Sequence, residues 1–215
     1  MRLVLPGMCV VLLLSAAACS GDATSASGSS SSNPVSPSPA GGAATLTVML
    51  KDSPFSDAKA LLVTFSEVNV HASGGDWVTL PFSGNASSRT CDLKKLQTAQ
   101  DILGVGTLPA GHYTQLRLVV SSAAIYFDNA SSGGACAPAI AAPPGADAPV
   151  VIPSGELKLN REFDLAPGGA TKILLDFDGD QSVKLTGSGG QGRGNGGGND
   201  GRYMMTPVIG IVSVQ

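Results

Sequence analysis

The chain has 215 residues, 43% of them hydrophobic and 13% charged, with a formal net charge of −3 at neutral pH. Its 13 Lys and Arg never gather into a basic run, so the electrostatic footprint of nucleic-acid binding is missing and no nucleic-acid partner is expected. Aromatic residues make up 5% of the chain, which is thin for a carbohydrate-stacking platform.

Met1-Arg2 supplies one positive charge, and an apolar run from Leu3 to Leu14 follows, broken only by Pro6-Gly7. A membrane-spanning helix requires about 20 apolar residues. This run is shorter and fits the apolar region of an export signal. The small residues Ser15-Ala16-Ala17-Ala18 come next and would let an extended backbone enter a peptidase cleft, directly before Cys19. The arrangement resembles the lipobox of bacterial lipoproteins, with Ala16 where that pattern prefers Leu. The resemblance implies a signal peptide over residues 1–18, cleavage before Cys19, and a diacylglyceryl thioether there, usually with an amide-linked acyl chain. Each buried acyl CH₂ contributes about 0.8 kcal/mol and stable anchoring takes more than one chain, so such attachment would be lasting. An ordinary signal cut nearby, with Cys19 incidental, is the alternative; Cys9, inside the apolar run, is a poor one. Ser20-Gly21 lack the aspartate that, by the same analogy, retains lipoproteins in the inner membrane. The expected address is therefore the cell envelope, at the outer membrane where there is one.

From Ser20 to Ala44 the chain reads SGDATSASGSSSSNPVSPSPAGGAA. Such a stretch buries too little apolar surface to offset its backbone entropy. Residues 19–44 are thus expected to be a lipidated cysteine and a Ser/Gly/Pro tether spanning roughly 25–30 Å. Residues 45–215 are expected to form one domain, long enough for a real core. Losing Arg2 with the signal leaves 12 Lys and Arg against 16 Asp and Glu.

Within that domain the pattern is β throughout. Thr45–Leu50 (TLTVML) alternates and is β-branched, and Asp52-Ser53-Pro54 reads as a turn. Over Lys59–His71 the apolar set changes parity, from Leu61, Val63 and Phe65 to Val68 and Val70, the signature of a β-bulge near Ser66-Glu67. Asp76–Leu80 is a short strand after Gly74-Gly75. Leu93–Leu103 is weakly periodic and reads as loop, strand or a turn of helix. His112–Val120 sets Leu116, Leu118 and Val120 against Tyr113, Gln115 and Arg117. Glu156–Leu165 alternates, with Arg161 interrupting its apolar face. Thr171–Phe177 and a last strand over Tyr203–Val214 complete the series. Strands with Gly/Pro turns argue for an all-β antiparallel sandwich of about seven to nine strands. Asn129–Ala148 is expected to be an exposed loop, and Gly187–Arg202 (GSGGQGRGNGGGNDGR) a flexible low-complexity loop between the last two strands.

Once Cys9 leaves with the signal and Cys19 takes lipid, Cys91 and Cys136 remain, in a compartment where disulfides persist. They are expected to form a bridge; free thiols or a metal site are the alternatives, and two isolated cysteines lack the clustered spacing of zinc ligands.

Catalytic machinery is hard to find. The two histidines, His71 and His112, fall at strand ends, and a triad would require a nucleophile and a carboxylate to converge on one of them. No Gly-x-Ser-x-Gly elbow, His-Glu-x-x-His helix or phosphate loop occurs. No enzyme activity and no cofactor are expected. The sharpest ligand candidate is calcium at Asp176, Asp178 and Asp180, because calcium takes six to eight oxygens and clustered carboxylates supply them. Against it, a calcium loop starting at Asp176 would need Gly and Glu where the chain has Gln181 and Gly187. A curled turn at Gly179, with Asp52 or Asp57 assisting, would be required. Trp77 could stack on a sugar, but reads first as a core or edge anchor. Asn85-Ala86-Ser87 and Asn129-Ala130-Ser131 match the glycosylation pattern and are read as chance.

The runs LTVMLKDSPFSDAKALLVTFSEVNVHASGGDWVTL, LPAGHYTQLRLVVSSAAIYF and IPSGELKLNREFDLAPGGATKILLDFDGDQSVKLTGSG, followed by YMMTPVI, resemble the bacterial lipoprotein domain called domain of unknown function 4382. The likeness covers nearly all of Thr45–Val214. It implies an extracytoplasmic β-sandwich with no established activity, and a much shorter connection where Gly187–Arg202 stands here. LPAGHYTQLRL is also similar to the Pro-x-Gly-x-Tyr turn and strand of transthyretin-like sandwiches, where Gly111 would permit the turn and Tyr113 would cover the sandwich edge. The functional expectation is a membrane-anchored binding, adhesion or structural module meeting an envelope protein or a glycan, with calcium-dependent binding as the alternative.

Overall fold

The computed structural model describes residues 42–53, 58–186 and 202–215. The expected signal peptide, Cys19, nearly all of the tether, Asp57 and the connection 187–201 lie outside these residues. Thirteen strands and two single-turn helices follow in chain order. The strands are β1 (Ala43–Ser53), β2 (Ala60–Ala72), β3 (Trp77–Leu80), β4 (Arg89–Asp92), β5 (Asp101–Pro109), β6 (Gly111–Tyr126), β7 (Cys136–Ala137), β8 (Asp147–Val151), β9 (Glu156–Leu165), β10 (Ala170–Asp178), β11 (Val183–Thr186), β12 (Arg202–Met205) and β13 (Ile209–Val214). Helix α1 is Leu93–Leu96 and α2 is Gly179–Ser182. β1 begins at Ala43, so the last two residues assigned to the tether already belong to a strand.

A four-stranded sheet runs β13-β10-β1-β5, and a nine-stranded sheet runs β11-β12-β8-β6-β2-β4-β7, with β3 pairing to β2 and β9 to β6. One apolar cluster joins their facing sides. Leu46, Val48, Leu50, Ile173, Leu175 and Phe177 come from the small sheet, and Leu61, Val63, Phe65, Val68, Val70, Leu116 and Leu118 from the large one. The domain is therefore the expected all-β sandwich, but its sheets are mixed rather than purely antiparallel. β1 pairs parallel to β10, from Thr45 opposite Ala170 to Ser53 opposite Asp178, and β12 pairs parallel to β8. Alternation reports which face a side chain takes and is blind to strand direction, which is why the pattern could not tell the two apart.

The irregularity in β2 is the expected bulge. Phe65 pairs with Val120 and Glu67 with Val119, leaving Ser66 unopposed, and Leu61, Val63, Phe65, Val68 and Val70 all end fully buried on one side. A second slip, between Tyr113 and Gln115 in the β6–β9 pairing, corrects the expected parity of β6. Tyr113 is buried with Leu116, Leu118 and Val120 rather than lying on the side of Gln115 and Arg117. The residues opposite this slip are Arg161 and Glu162, both exposed. The expected last strand divides at Thr206-Pro207-Val208, so that β12 joins the large sheet and β13 the small one. Pro207 has no N–H to continue a ladder. Leu93–Leu103 resolves into α1, a short link and the start of β5.

Candidate functional site

The residues singled out by chemistry fall into four separate places. At one end of the parallel β1–β10 pair, strand β1 continues inward-outward alternation past Leu50, and Asp52 takes the next inward position opposite Phe177. Its carboxylate is 4% exposed and neither oxygen completes a hydrogen bond. Burial pushes this carboxyl up to about 8. The Asp176 and Asp178 charges push the same way, while the Gly179 N–H and the Gln97 side chain pull it back. Low dielectric disfavours the charged form, and here nothing of opposite charge compensates. Asp52 was expected in a turn; the signal that would have placed it inside is the unbroken parity Leu46, Val48, Leu50, Asp52.

The calcium candidates share this end but do not converge. Lys51 Nζ lies 2.7 Å from Asp176 Oδ2, and the Ser53 hydroxyl donates to Asp176 Oδ1 at 3.1 Å. Asp178 is the N-cap of α2, accepting from the Gln181 backbone N–H at 2.9 Å and from the Gln181 side-chain amide. Gly179 begins a helical turn instead of curling the carboxylates inward. Among the described residues no three His, Cys, Asp or Glu side chains are arranged to hold a metal ion.

The histidines divide the parts of a triad between them. His71 Nδ1 lies 3.1 Å from the Thr114 hydroxyl. His112 Nδ1 lies 2.8 Å from Asp164 Oδ1, and its Nε2 is 3.9 Å from Glu162. The hydroxyl thus sits on one ring and the carboxylates on the other. Trp77 packs against His71, with ring centroids 5.0 Å apart, and against Arg117, whose guanidinium carbon lies 4.4 Å from the indole centroid. Those neighbours hold Trp77 against β2 and β6 from the edge strand β3.

The fourth place is the Asn129–Ala148 connection, which is far more tightly built than its Ala/Pro/Gly composition suggests. Cys91 and Cys136 form the expected disulfide, with sulfurs 2.04 Å apart, across directly opposed positions of β4 and β7. Beside it, Asp92 is fully buried and accepts from the Leu61 N–H, the Lys94 N–H and the Ser131 hydroxyl, the last at 2.6 Å. It caps α1 and holds the loop at once. Lys95 donates to the Gly133 carbonyl at 2.8 Å, and Arg89 reaches Asp101, which also accepts the Cys136 N–H. Ile140 packs on a small second cluster formed by Ala60, Leu62 and Tyr126 on the outer face of the large sheet. These polar anchors were not legible in the sequence, because only spatial proximity turns Asp92 and Ser131 into partners.

Tyr113 closes the β5–β6 corner. It stacks on Phe163 with centroids 5.4 Å apart, and its hydroxyl donates to the Pro109 carbonyl at 2.8 Å. Gly111 has φ of 151°, a backbone that side chains rarely adopt, as the turn reading requires.

No curated protein and no solved structure is similar to the chain over a significant stretch. Residues 43–207 match the family described as Domain of unknown function (DUF4382). The match opens on the first residue of β1, takes in every strand but β13 together with the disulfide, and stops at the proline that parts β12 from β13. The chain belongs to the DUF4382 family.

Proposed function

We propose that this chain is a lipid-anchored module of the bacterial cell envelope that binds an envelope protein or glycan through the 129–146 loop and carries no catalysis. The observation that supports it is the anchoring of that loop. A disulfide, the buried Asp92 carboxylate, and the charged side chains of Lys95 and Asp101 fix an exposed connection onto a rigid sandwich. Recognition residues are disproportionately carried by loops that a scaffold positions. The lipobox-like run ending at Cys19 supports the anchor, and the absence of an aspartate after it favours the outer membrane.

Two measurements test this reading. In cells fed labelled palmitate, the full chain takes up label and fractionates with membranes, and Cys19→Ser abolishes both. Binding to envelope extract falls at least about tenfold when the exposed loop residues Pro138, Ala139 and Ala141 are replaced by charged ones, while Lys184 and Leu185 substitutions at the far hairpin leave it unchanged. An unlabelled, washable product removes the anchor, and equal binding by both variants removes the loop.

A further inference from the structure

We infer that what the 129–146 loop binds is a polypeptide surface with exposed apolar side chains, not a glycan; this rests on the reading of that loop as the recognition element. A sugar carries hydroxyls around its whole rim, and each one that loses its water on binding must find another hydrogen-bond partner. The loop has few to offer. Between Ala130 and Ala146 the sequence ASSGGACAPAIAAPPGA holds no charged, amide or aromatic side chain. Of its two hydroxyls, that of Ser131 is buried and bonded to Asp92, which leaves Ser132.

The polar groups at the base of the loop are turned back into it. Asp128 accepts from the Ala146 N–H at 2.7 Å, and the Asn129 amide donates to the Pro144 carbonyl at 2.9 Å. The backbone is engaged in the same way. The Ala135 and Ala146 carbonyls accept from the Asp92 and Phe127 N–H groups at 2.8 and 3.1 Å. The Gly133 carbonyl takes Lys95, and the Pro138 carbonyl takes the Ser88 hydroxyl at 3.4 Å. Pro138, Pro143 and Pro144 bring no N–H at all. What faces water is methyl and pyrrolidine surface, with Pro138, Ala139, Ala141, Ala142 and Pro144 exposed. Such a surface is recognised by shape and by the removal of apolar area from water, which another protein supplies and a hydroxylated chain does not. Its anchors and prolines also leave little freedom to lose on binding.

Two observations argue against a lipid surface as the occupant. Ile140, the one large aliphatic side chain of the loop, packs inward on Ala60, Leu62 and Tyr126, so no long apolar group projects to enter a bilayer. The chain from Cys19 also enters the domain at the other end of β6. There the Gly42 carbonyl accepts from the Ala110 N–H, just before β6 begins, whereas the loop follows the last residue of that strand.

The test presents the immobilised full chain, in detergent, with envelope extract in three portions. One is untreated, one is oxidised with periodate, which cleaves the vicinal diols of sugars, and one is digested with a protease that is then inhibited. Loop-dependent binding is the part lost when Ala139→Asp and Ala141→Asp are combined. It is expected to survive periodate within about twofold and to fall at least about tenfold on digestion. It is also expected to hold at about 1 M salt, where the Debye length is about 3 Å. Loss on periodate, survival of digestion, or release by salt overturns the inference while leaving the loop's role standing. Binding that the double variant keeps undiminished removes the loop's role and this inference with it. Should the aspartates alter the circular dichroism spectrum, a bulky maleimide attached to the folded Ala139→Cys variant takes their place.

Discussion

Asp52 is the residue whose chemistry is least compatible with its surroundings. In the unfolded chain its carboxyl titrates near 3.8, and in the folded domain near 8. Between those values the native state keeps a proton that the unfolded state has released. Unfolding is then accompanied by proton loss, and stability falls as the pH rises from about 4 to about 8. Below that window the penalty is absent, and above it the whole cost of a buried charge is borne. Asp52→Asn keeps the shape and removes the titration. Denaturant unfolding is expected to show this variant more stable than the parent by about 1–3 kcal/mol at pH 8, and nearly equal to it at pH 4. A parent whose stability is flat across that range would mean that the carboxylate finds water or a partner.

At the scale of elements, the disulfide and the strand it pins invite the next prediction. β7 is only two residues long, and two ladder pairs cannot hold a strand against the entropy of its long flanking loops. The covalent link between Cys91 and Cys136, 45 positions apart, removes much of that freedom from the unfolded chain. Loop-closure entropy assigns it roughly 4 kcal/mol, and engineered and native cases commonly give less. Replacing both cysteines by serine is expected to cost about 2–4 kcal/mol in denaturant unfolding and to make the 129–146 segment the first site of proteolysis. Several elements were legible beforehand for physical reasons. β9 and β10 alternate cleanly, so their faces could be read directly, and the parity change between Phe65 and Val68 announced a bulge. Tyr113 was assigned to the wrong face because the second bulge, at Arg161 and Glu162, shows in the sequence only as one charged residue on an apolar face, with no parity change in the apolar residues of β9. Single strands were also inferred where a proline divides β12 from β13, since both halves are apolar and only their destinations differ.

At the scale of the whole molecule, the aspartates of the β10–α2 corner act within the sandwich. One is paired to Lys51, one caps a helix, and Asp52 faces inward from the neighbouring strand. The acidic run Asp176–Asp180 was visible as composition, but its partners come from Lys51 and Ser53, far away in sequence, and from a helical turn too short to leave a periodic signal. Thermal unfolding of the domain is therefore expected to give the same Tm with millimolar calcium as with chelator. A rise on adding calcium would restore a shared ion site at that corner.

The parallel alignment of β1 with β10 has a temporal side as well. A chain delivered amino end first presents the apolar face of its opening strand long before the tenth strand, its neighbour in the finished sheet, has appeared. Pairings this remote in sequence raise contact order and slow folding, and leave an adhesive ribbon uncovered while they wait. A holding factor, or a temporary alliance with β5, would be of most use to this molecule in that interval.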